Sequence, residues 1–453
     1  MIMKKKAKYI KVDDFLKMLK DGDKIVGGMA ANEPQLILAN LHRAFDDYDV
    51  KSLEFTNCLG IRQDAPIYTE KYSDKIEISS WFYDPAIRKA HQNGNASFIP
   101  NYLHYAHTKR FERVKYDYFV SAASMPDEHG YISLSTCNVY EKAAVKNAKV
   151  TVLEVNPNFP RTFGDLEIHI SEVDYLIETD YPCPTLPDIP LNEKDIAIGK
   201  FIADRIEDGS CIQLGIGGIP NAVAEQLKNK KDLGIHTEMF TSTMVDLIEC
   251  GAVTGKKKKL YPGKHVAAFA FGNQKLYDFI NNNPSVLLID GAWVNDPYVI
   301  GQNDKQVSIN AALEVALDGQ VASESIGTRQ FSGAGGQVDT AVGAQNSKGG
   351  KSFIALYSTA LVRNPETGVR EPKSKIVPFI TPGGAVTLSR ADVDNVVTEY
   401  GVAELRGTTL KERAIELIKI AHPDFREELF NEGVSIGILS ERERPKLVKY
   451  FKK

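Results

Sequence analysis

Two stretches of this chain open on the same plan, and that repetition limits the folds available to it. Asp21-Gly-Asp-Lys-Ile25 leads into Gly27-Gly28 and, past Pro34, into an apolar run from Gln35 through Leu41. Asp208-Gly-Ser-Cys-Ile212 leads into Gly215-Ile-Gly-Gly-Ile-Pro220 and an apolar run from Asn221 to Leu227, one residue different in length. Strand, glycine turn and helix in that order form the start of a βα unit. Each copy follows an apolar helical segment, Val12 to Lys20 in the first and Ile196 to Ile206 in the second. Two such openings can look alike by chance. Read as a duplication, they predict two α/β domains of one architecture in tandem. The length of 453 residues is more than one ordinary core accommodates and agrees with two or three domains.

The seam falls at Tyr181-Pro-Cys-Pro-Thr-Leu-Pro-Asp-Ile-Pro190, where four prolines occur in ten residues. Proline fixes φ and donates no backbone hydrogen bond, so this stretch reads as an extended linker between domains at 1–185 and 186–453. Before it, strand-like runs at Tyr118 to Ala122 and Val150 to Val155 alternate with a helix at Val139 to Lys146. After it, Val286 to Ile289, Phe353 to Tyr357 and Ile376 to Ile380 read as buried strands, and Ala222 to Lys228 and Leu410 to Ala421 as helices. Such alternation predicts α/β sheets with ligand loops at the strand ends.

The net charge of −4 supplies no basic field for nucleic acid. The tetrad Lys256 to Lys259 reads as solvated surface, with a role near phosphates as the alternative. Five cysteines at 58, 137, 183, 211 and 250 form no CxxC pair, which fits a reducing compartment and argues against a disulfide frame or a zinc site. Met1 to Lys8 is basic but no apolar segment follows it, and no run approaches the ~20 apolar residues of a membrane span. A cytoplasmic protein with no membrane partner is the expectation.

Three segments carry the candidate chemistry. Gly215 to Pro220 and Phe331-Ser-Gly-Ala-Gly-Gly-Gln-Val-Asp339 are glycine turns, and a glycine turn at a helix start lets free N–H groups approach a ligand. Neither matches a dinucleotide fingerprint or a phosphate-binding loop with its GK[ST], so a nicotinamide oxidoreductase is disfavoured. A plain tight turn is the alternative for each. Between them lies Glu238, on the strand-like run Ile235 to Thr243. A carboxylate with a reference pKa near ~4.3 is ionised at neutral pH and needs no general base to act as a nucleophile. A lone glutamate is otherwise a solvated surface residue. His236, two residues away, shares a strand face with Glu238 and reads as a packing residue. Asp127, Glu128 and His129 sit in a Pro/Gly turn, read as a structured loop in preference to a metal site.

These residues resemble the class I coenzyme A transferases, in the branch that contains 4-hydroxybutyrate, butyrate and acetate CoA-transferases and acetyl-CoA hydrolases. The resemblance runs from about Asp21 to Glu428. It is carried by Gly215 to Pro220, His236-Thr-Glu-Met239, Gly319-Gln-Val-Ala-Ser-Glu-Ser325, Phe331 to Asp339 and Val396-Val-Thr-Glu-Tyr-Gly-Val-Ala-Glu-Leu-Arg406, with Met125-Pro-Asp-Glu-His-Gly-Tyr131 in the first half. It implies a pair of similar α/β domains with the active site between them, and a homodimer. The family's glutamate nucleophile falls on Glu238. Its CoA-binding turns fall on Gly215, Ile216, Gly217, Gly218 and Ile219 and on Gly333, Gly335 and Gly336, with Gln320 a neighbour in the thioester pocket. The implied substrates are an acyl-CoA and a short-chain carboxylate, with coenzyme A as carrier and no metal. The alternatives are a short-chain acyl-CoA hydrolase using the same glutamate and a non-catalytic CoA-binding protein. Phe98 to Leu103 is a candidate wall of the acid pocket, with ordinary packing as its alternative.

Overall fold

The computed structural model describes residues 7–187, 189–364 and 366–451. The basic stretch Met1 to Lys8 lies outside them up to Lys6, as does Asp188 of the linker. Two large sheets organise the chain. The first runs Lys8–Tyr9, Tyr175–Glu178, Val150–Asn156, Tyr118–Ser124, Asp23–Gly27, Leu53–Asn57, Ile76–Ser80 and Ala96–Phe98 across its width, all parallel. Val120, Ala122, Val152 and Val155 are fully covered. Burial of both faces of a parallel sheet explains why these strands read as continuous apolar runs.

The second sheet runs Gly401–Glu404, Asn395–Thr398, Lys351–Ala355, Gln306–Ala311, Cys211–Leu214, Gly234–Phe240, His265–Ala270, Val286–Leu288 and Phe163–Gly164. It is parallel except for the hairpin at 395–404. Phe163–Gly164 comes from before the linker and pairs with Leu287 and Leu288, so the first half of the chain edges the second sheet. Gly164 is required there: a Cβ would stand 2.0 Å from the Leu288 carbonyl oxygen.

Both sheets are wound alike. In each a central strand, Asp23–Gly27 or Cys211–Leu214, starts the winding. The chain then adds three strands to one side and returns to add three to the other in the first sheet and four in the second, with Lys8–Tyr9 and Phe163–Gly164 as outermost edges laid earlier in the sequence. The two stretches that matched in sequence are these first strands and the turns that leave them. The place where strand order reverses lies between Cys211–Leu214 and Gln306–Ala311 in the second sheet, and ligands of open α/β sheets bind beyond the carboxyl ends at such a point.

Differences from expectation have local causes. The first helix ends at Leu16, though Phe15, Leu16 and Leu19 are buried as its pattern requires. Only Ile376–Val377 of the expected strand Ile376 to Ile380 is one, in a small three-stranded sheet. Pro378 follows it and cannot donate to a ladder, and Phe379 is exposed. The lysine tetrad is not uniformly solvated. Lys258 is buried beneath the Gly234–Phe240 strand and donates to the carbonyls of Ile235 at 2.7 Å and Lys264 at 2.9 Å. Burial brings its pKa down to about 8. The described residues of the linker form neither helix nor strand and are tacked down, with the Leu186 N–H on the Gly272 carbonyl at 2.8 Å. Among the described residues no helix is long and apolar enough to cross a membrane.

Candidate active site

Glu238 stands on Gly234–Phe240, a strand whose other residues are buried while Glu238 keeps partial exposure. This strand pairs with Cys211–Leu214 only at Gly234 and Ile235. Beyond that the two diverge, and the Gln306 side-chain amide supplies the missing donor to the His236 carbonyl at 3.1 Å. The divergence opens the carboxyl end of the sheet beside the reversal point.

Two groups hold the Glu238 carboxylate. The Asn295 side-chain amide donates to Oε2 at 2.9 Å, and the Gly336 N–H bonds to the same carboxylate. Asn295 caps the C-terminus of the short helix Gly291–Val294, and Gly336 caps the N-terminus of Gln337–Asn346. Burial pushes the Glu238 carboxyl up to about 7, the nearby Asp339 carboxylate adds to the rise, and the two donors oppose it. Such a group changes charge near neutral pH, an uncommon state for a glutamate and a frequent one in active sites.

The second glycine turn packs directly on this carboxylate. A Cβ at Gly336 would fall 1.9 Å from Glu238 Oε2 and 2.1 Å from Asn295 Nδ2. A Cβ at Gly333 would fall 2.3 Å from the Trp81 carbonyl oxygen, in the first domain, and Gly335 holds φ +53°. Each glycine therefore has its own reason, and together they bring Glu238, the turn and the Trp81–Phe82 segment into contact. The first glycine turn differs. Gly217 has φ +117° with open space where a Cβ would be, and Gly218 abuts Asp195 of helix Glu193–Ala203. Gly215 lies near Pro220, Ile219 is half-buried in the first turn of Gly218–Leu227, and Ile216 is 46% exposed.

Ile216 marks where that turn meets a cleft of about 670 Å³ between the two halves of the chain. Leu59, Ile61, Phe82 and Arg88 wall it from the first half; Ala311 to Leu313, Ser323 and Phe331 wall it from the second. Ala311 to Leu313 follow the strand across the reversal point from Gly215, so the cleft lies where the winding predicts. Phe82 connects cleft and carboxylate: its ring and Glu238 Oε1 both stand 3.8 Å from a Cβ built on Gly335. A second hollow of about 400 Å³ continues around Ile216, Gly217 and Asn221.

Gln320 occupies the hairpin turn between Glu314–Ala316 and Val321–Ala322. Its N–H is on Asp318 at 3.0 Å and its carbonyl accepts from Ala316. The cleft wall nearest it in sequence is Ser323. His236 is buried, donates from Nε2 to the Val294 carbonyl at 2.8 Å and lies against Trp293; burial lowers its pKa to about 4, so it is a neutral packing residue. Asp127 accepts from the N–H groups of His129 and Tyr131 and pairs with Arg161, as a structured loop should. The Phe98 to Leu103 segment reaches the site through backbone, the Leu103 N–H meeting the Gly335 carbonyl at 3.1 Å. Sequence reasoning missed Asn295, Asp339 and Phe82. Asn295-Asp296-Pro297 signals a turn, and nothing in it signals a partner for Glu238.

The acetyl-CoA hydrolase/transferase N-terminal domain matches residues 3–187 and the acetyl-CoA hydrolase/transferase C-terminal domain matches 272–433. Succinyl-CoA:cyclohexane-1-carboxylate CoA transferase of Geobacter metallireducens is 48% identical over 80% of this chain and 81% of its own length. The 4-hydroxybutyrate coenzyme A transferase of Clostridium kluyveri is 42% identical over 94% and 97%. The crystal structure of RipA from Yersinia pestis superposes with a TM-score of 0.87 at 34% identity, covering 95% of this chain and 98% of that one.

Proposed function

The chain belongs to the acetyl-CoA hydrolase/transferase family, and on that premise we propose that it moves coenzyme A between a short-chain acyl-CoA and a free carboxylate, with Glu238 as nucleophile. One observation carries the reading: a partly exposed carboxylate, gripped by Asn295 and the Gly336 N–H, lies beside Phe82, which walls an apolar cleft between the two halves of the chain.

Glu238 attacks the thioester carbonyl carbon; its C–S bond breaks, leaving an acyl-glutamyl anhydride and CoA thiolate. The thiolate then attacks the glutamyl carbonyl, the anhydride C–O bond breaks, and the first acid departs as its carboxylate. Glutamyl-CoA remains. A second carboxylate attacks it, CoA thiolate leaves, and the thiolate takes the new acyl group, regenerating Glu238. No proton is consumed. The Asn295 amide and the Gly336 N–H, freed as Glu238 becomes acylated, are donors for the oxyanion of each tetrahedral intermediate, where one donor is worth roughly 10²–10³ in rate. The first turn, Gly215 to Ile219, carries the pantetheine arm along the cleft, and Gly333, Gly335 and Gly336 enclose the thioester. The apolar walls Leu59, Ile61, Phe82 and Leu313 suit a short aliphatic acid and exclude water, which preserves the thioester. The same reading divides the chain at 185/186 and makes it a cytoplasmic homodimer.

The test is borohydride trapping after incubation with acetyl-CoA or butyryl-CoA, read by mass spectrometry of the peptide containing Glu238. Reduction of that residue to the alcohol, with ping-pong kinetics over a panel of acids, is expected. Thioester loss that acetate does not divert into acetyl-CoA would make the protein a hydrolase instead. Absence of the adduct, with CoA bound, would leave a binding protein.

A further inference from the structure

Three elements converge on Glu238, and one segment of the first domain touches two of them. That segment is the turn Leu103–Tyr105 and the helix Ala106–Arg113. His104 donates from Nδ1 to Asp339 Oδ1 at 2.7 Å, and its backbone N–H donates to Asp339 Oδ2 at 3.1 Å. Asp339 lies in the first turn of Gln337–Asn346, the helix that Gly336 caps, and is fully buried. One turn further on, His107 donates from Nε2 to Asp290 Oδ1 at 2.9 Å. Asp290 is the N-cap of Gly291–Val294, the helix that ends in Asn295. Asn295 also bonds to Asp339, closing the circuit.

We propose that His104 and His107 are positioning residues that latch the two donors of Glu238, Gly336 through Asp339 and Asn295 through Asp290, so that the site assembles only when the first domain is docked. The proposal rests on Glu238 being the nucleophile. Both contacts are charge-assisted and largely shielded from water, the stronger kind of hydrogen bond. Asp339 lies three residues from Gly336 on the same helix end, and Asp290 caps the opposite end of the single-turn helix that Asn295 closes, five residues away. The titratable groups facing Glu238 are Asp339 and the Cys58 thiol, which burial keeps protonated; Asp339 in turn faces His104. Asp339 therefore anchors the helix and adds to the rise that burial gives the Glu238 pKa.

The test uses the full chain and the rate of adduct formation in a single turnover. Asparagine places an amide N–H where Nδ1 was, and glutamine where Nε2 was. H104N and H107Q should therefore keep most of the rate, whereas H104Q and H107N, with the donor misplaced, and H104A and H107A should lose roughly 10- to 100-fold in kcat with KM for acyl-CoA little changed. D339N should shift the acid limb of the rate to lower pH. Equal rates for H104N and H104Q and for H107Q and H107N, or a D339N profile identical to the parent's, would overturn the proposal. If the unmodified chain forms no adduct, the failure is that of the nucleophile assignment and not of the latch.

Discussion

Glu238 titrates near neutrality because its surroundings oppose its charge, and this has opposite consequences for rate and for stability. Only the carboxylate attacks, so the rate of adduct formation should fall as pH drops through about 7 and level off above it; a flat profile from pH 5 to 8 would contradict the assignment. Stability runs the other way. A carboxyl whose folded pKa lies above its ordinary 4.5 binds its proton more tightly in the folded state. Its ionisation therefore costs nothing below about pH 4.5 and increasingly more up to about pH 7. Glu238→Gln should be inactive. It should also be more stable than the parent at pH 8, by up to about 3 kcal/mol, with the difference gone near pH 4.5. Urea titrations at the two pH values check this.

The two glycine turns look alike in sequence and differ as elements, which gives them different mutational signatures. At Gly336 the obstacle is an occupied space, so Gly336→Ala should displace Glu238 or Asn295 and lower kcat roughly 100-fold or more, a misplacement of an ångström being enough. At Gly217 the space is open and only the backbone angle objects. Gly217→Ala should instead cost about 1–2 kcal/mol of stability and weaken acyl-CoA binding, with the chemical step spared. Kinetics and thermal melts on both variants separate these cases; a Gly336→Ala enzyme with normal kcat would remove the turn from the site. This contrast shows what sequence could and could not say. Glycine spacing and strand periodicity located the turns and the first strands, because those depend on neighbours in the chain, whereas Glu238 was singled out by the resemblance to a family and not by spacing. Asn295, and the part that Asp339 plays at the end of its motif, were invisible, because both are joined to Glu238 only by the fold. The burial of Lys258 was hidden in the same way, by a charge run that reads as surface until a strand is laid across it.

At the scale of the whole molecule, the duplicated winding suggests two independent bodies, but the packing argues for one. A single buried cluster takes in Trp81, Phe111 and Tyr140 from the first half and Met239, Phe269 and Val294 from the second. The segment at Cys137 bridges to Phe269, and its neighbour Asn138 donates to the Ala268 carbonyl at 3.0 Å, so the first half hydrogen-bonds directly to the second sheet. Phe163–Gly164 adds an edge strand to that sheet from the wrong side of the linker. Neither half can leave without exposing apolar core and unpaired backbone, both of which carry a large free-energy cost. The chain should therefore unfold in one calorimetric transition, with activity lost across the same temperature range, even though sequence divides it in two. Cleavage within the linker should leave the fragments associated and active, since the linker's covalent continuity contributes little once the cluster has formed. Two resolved transitions, or fragments that separate on a sizing column after cleavage, would mean that the cleft joins two bodies that merely touch. Glu238 would then be held by its own domain alone.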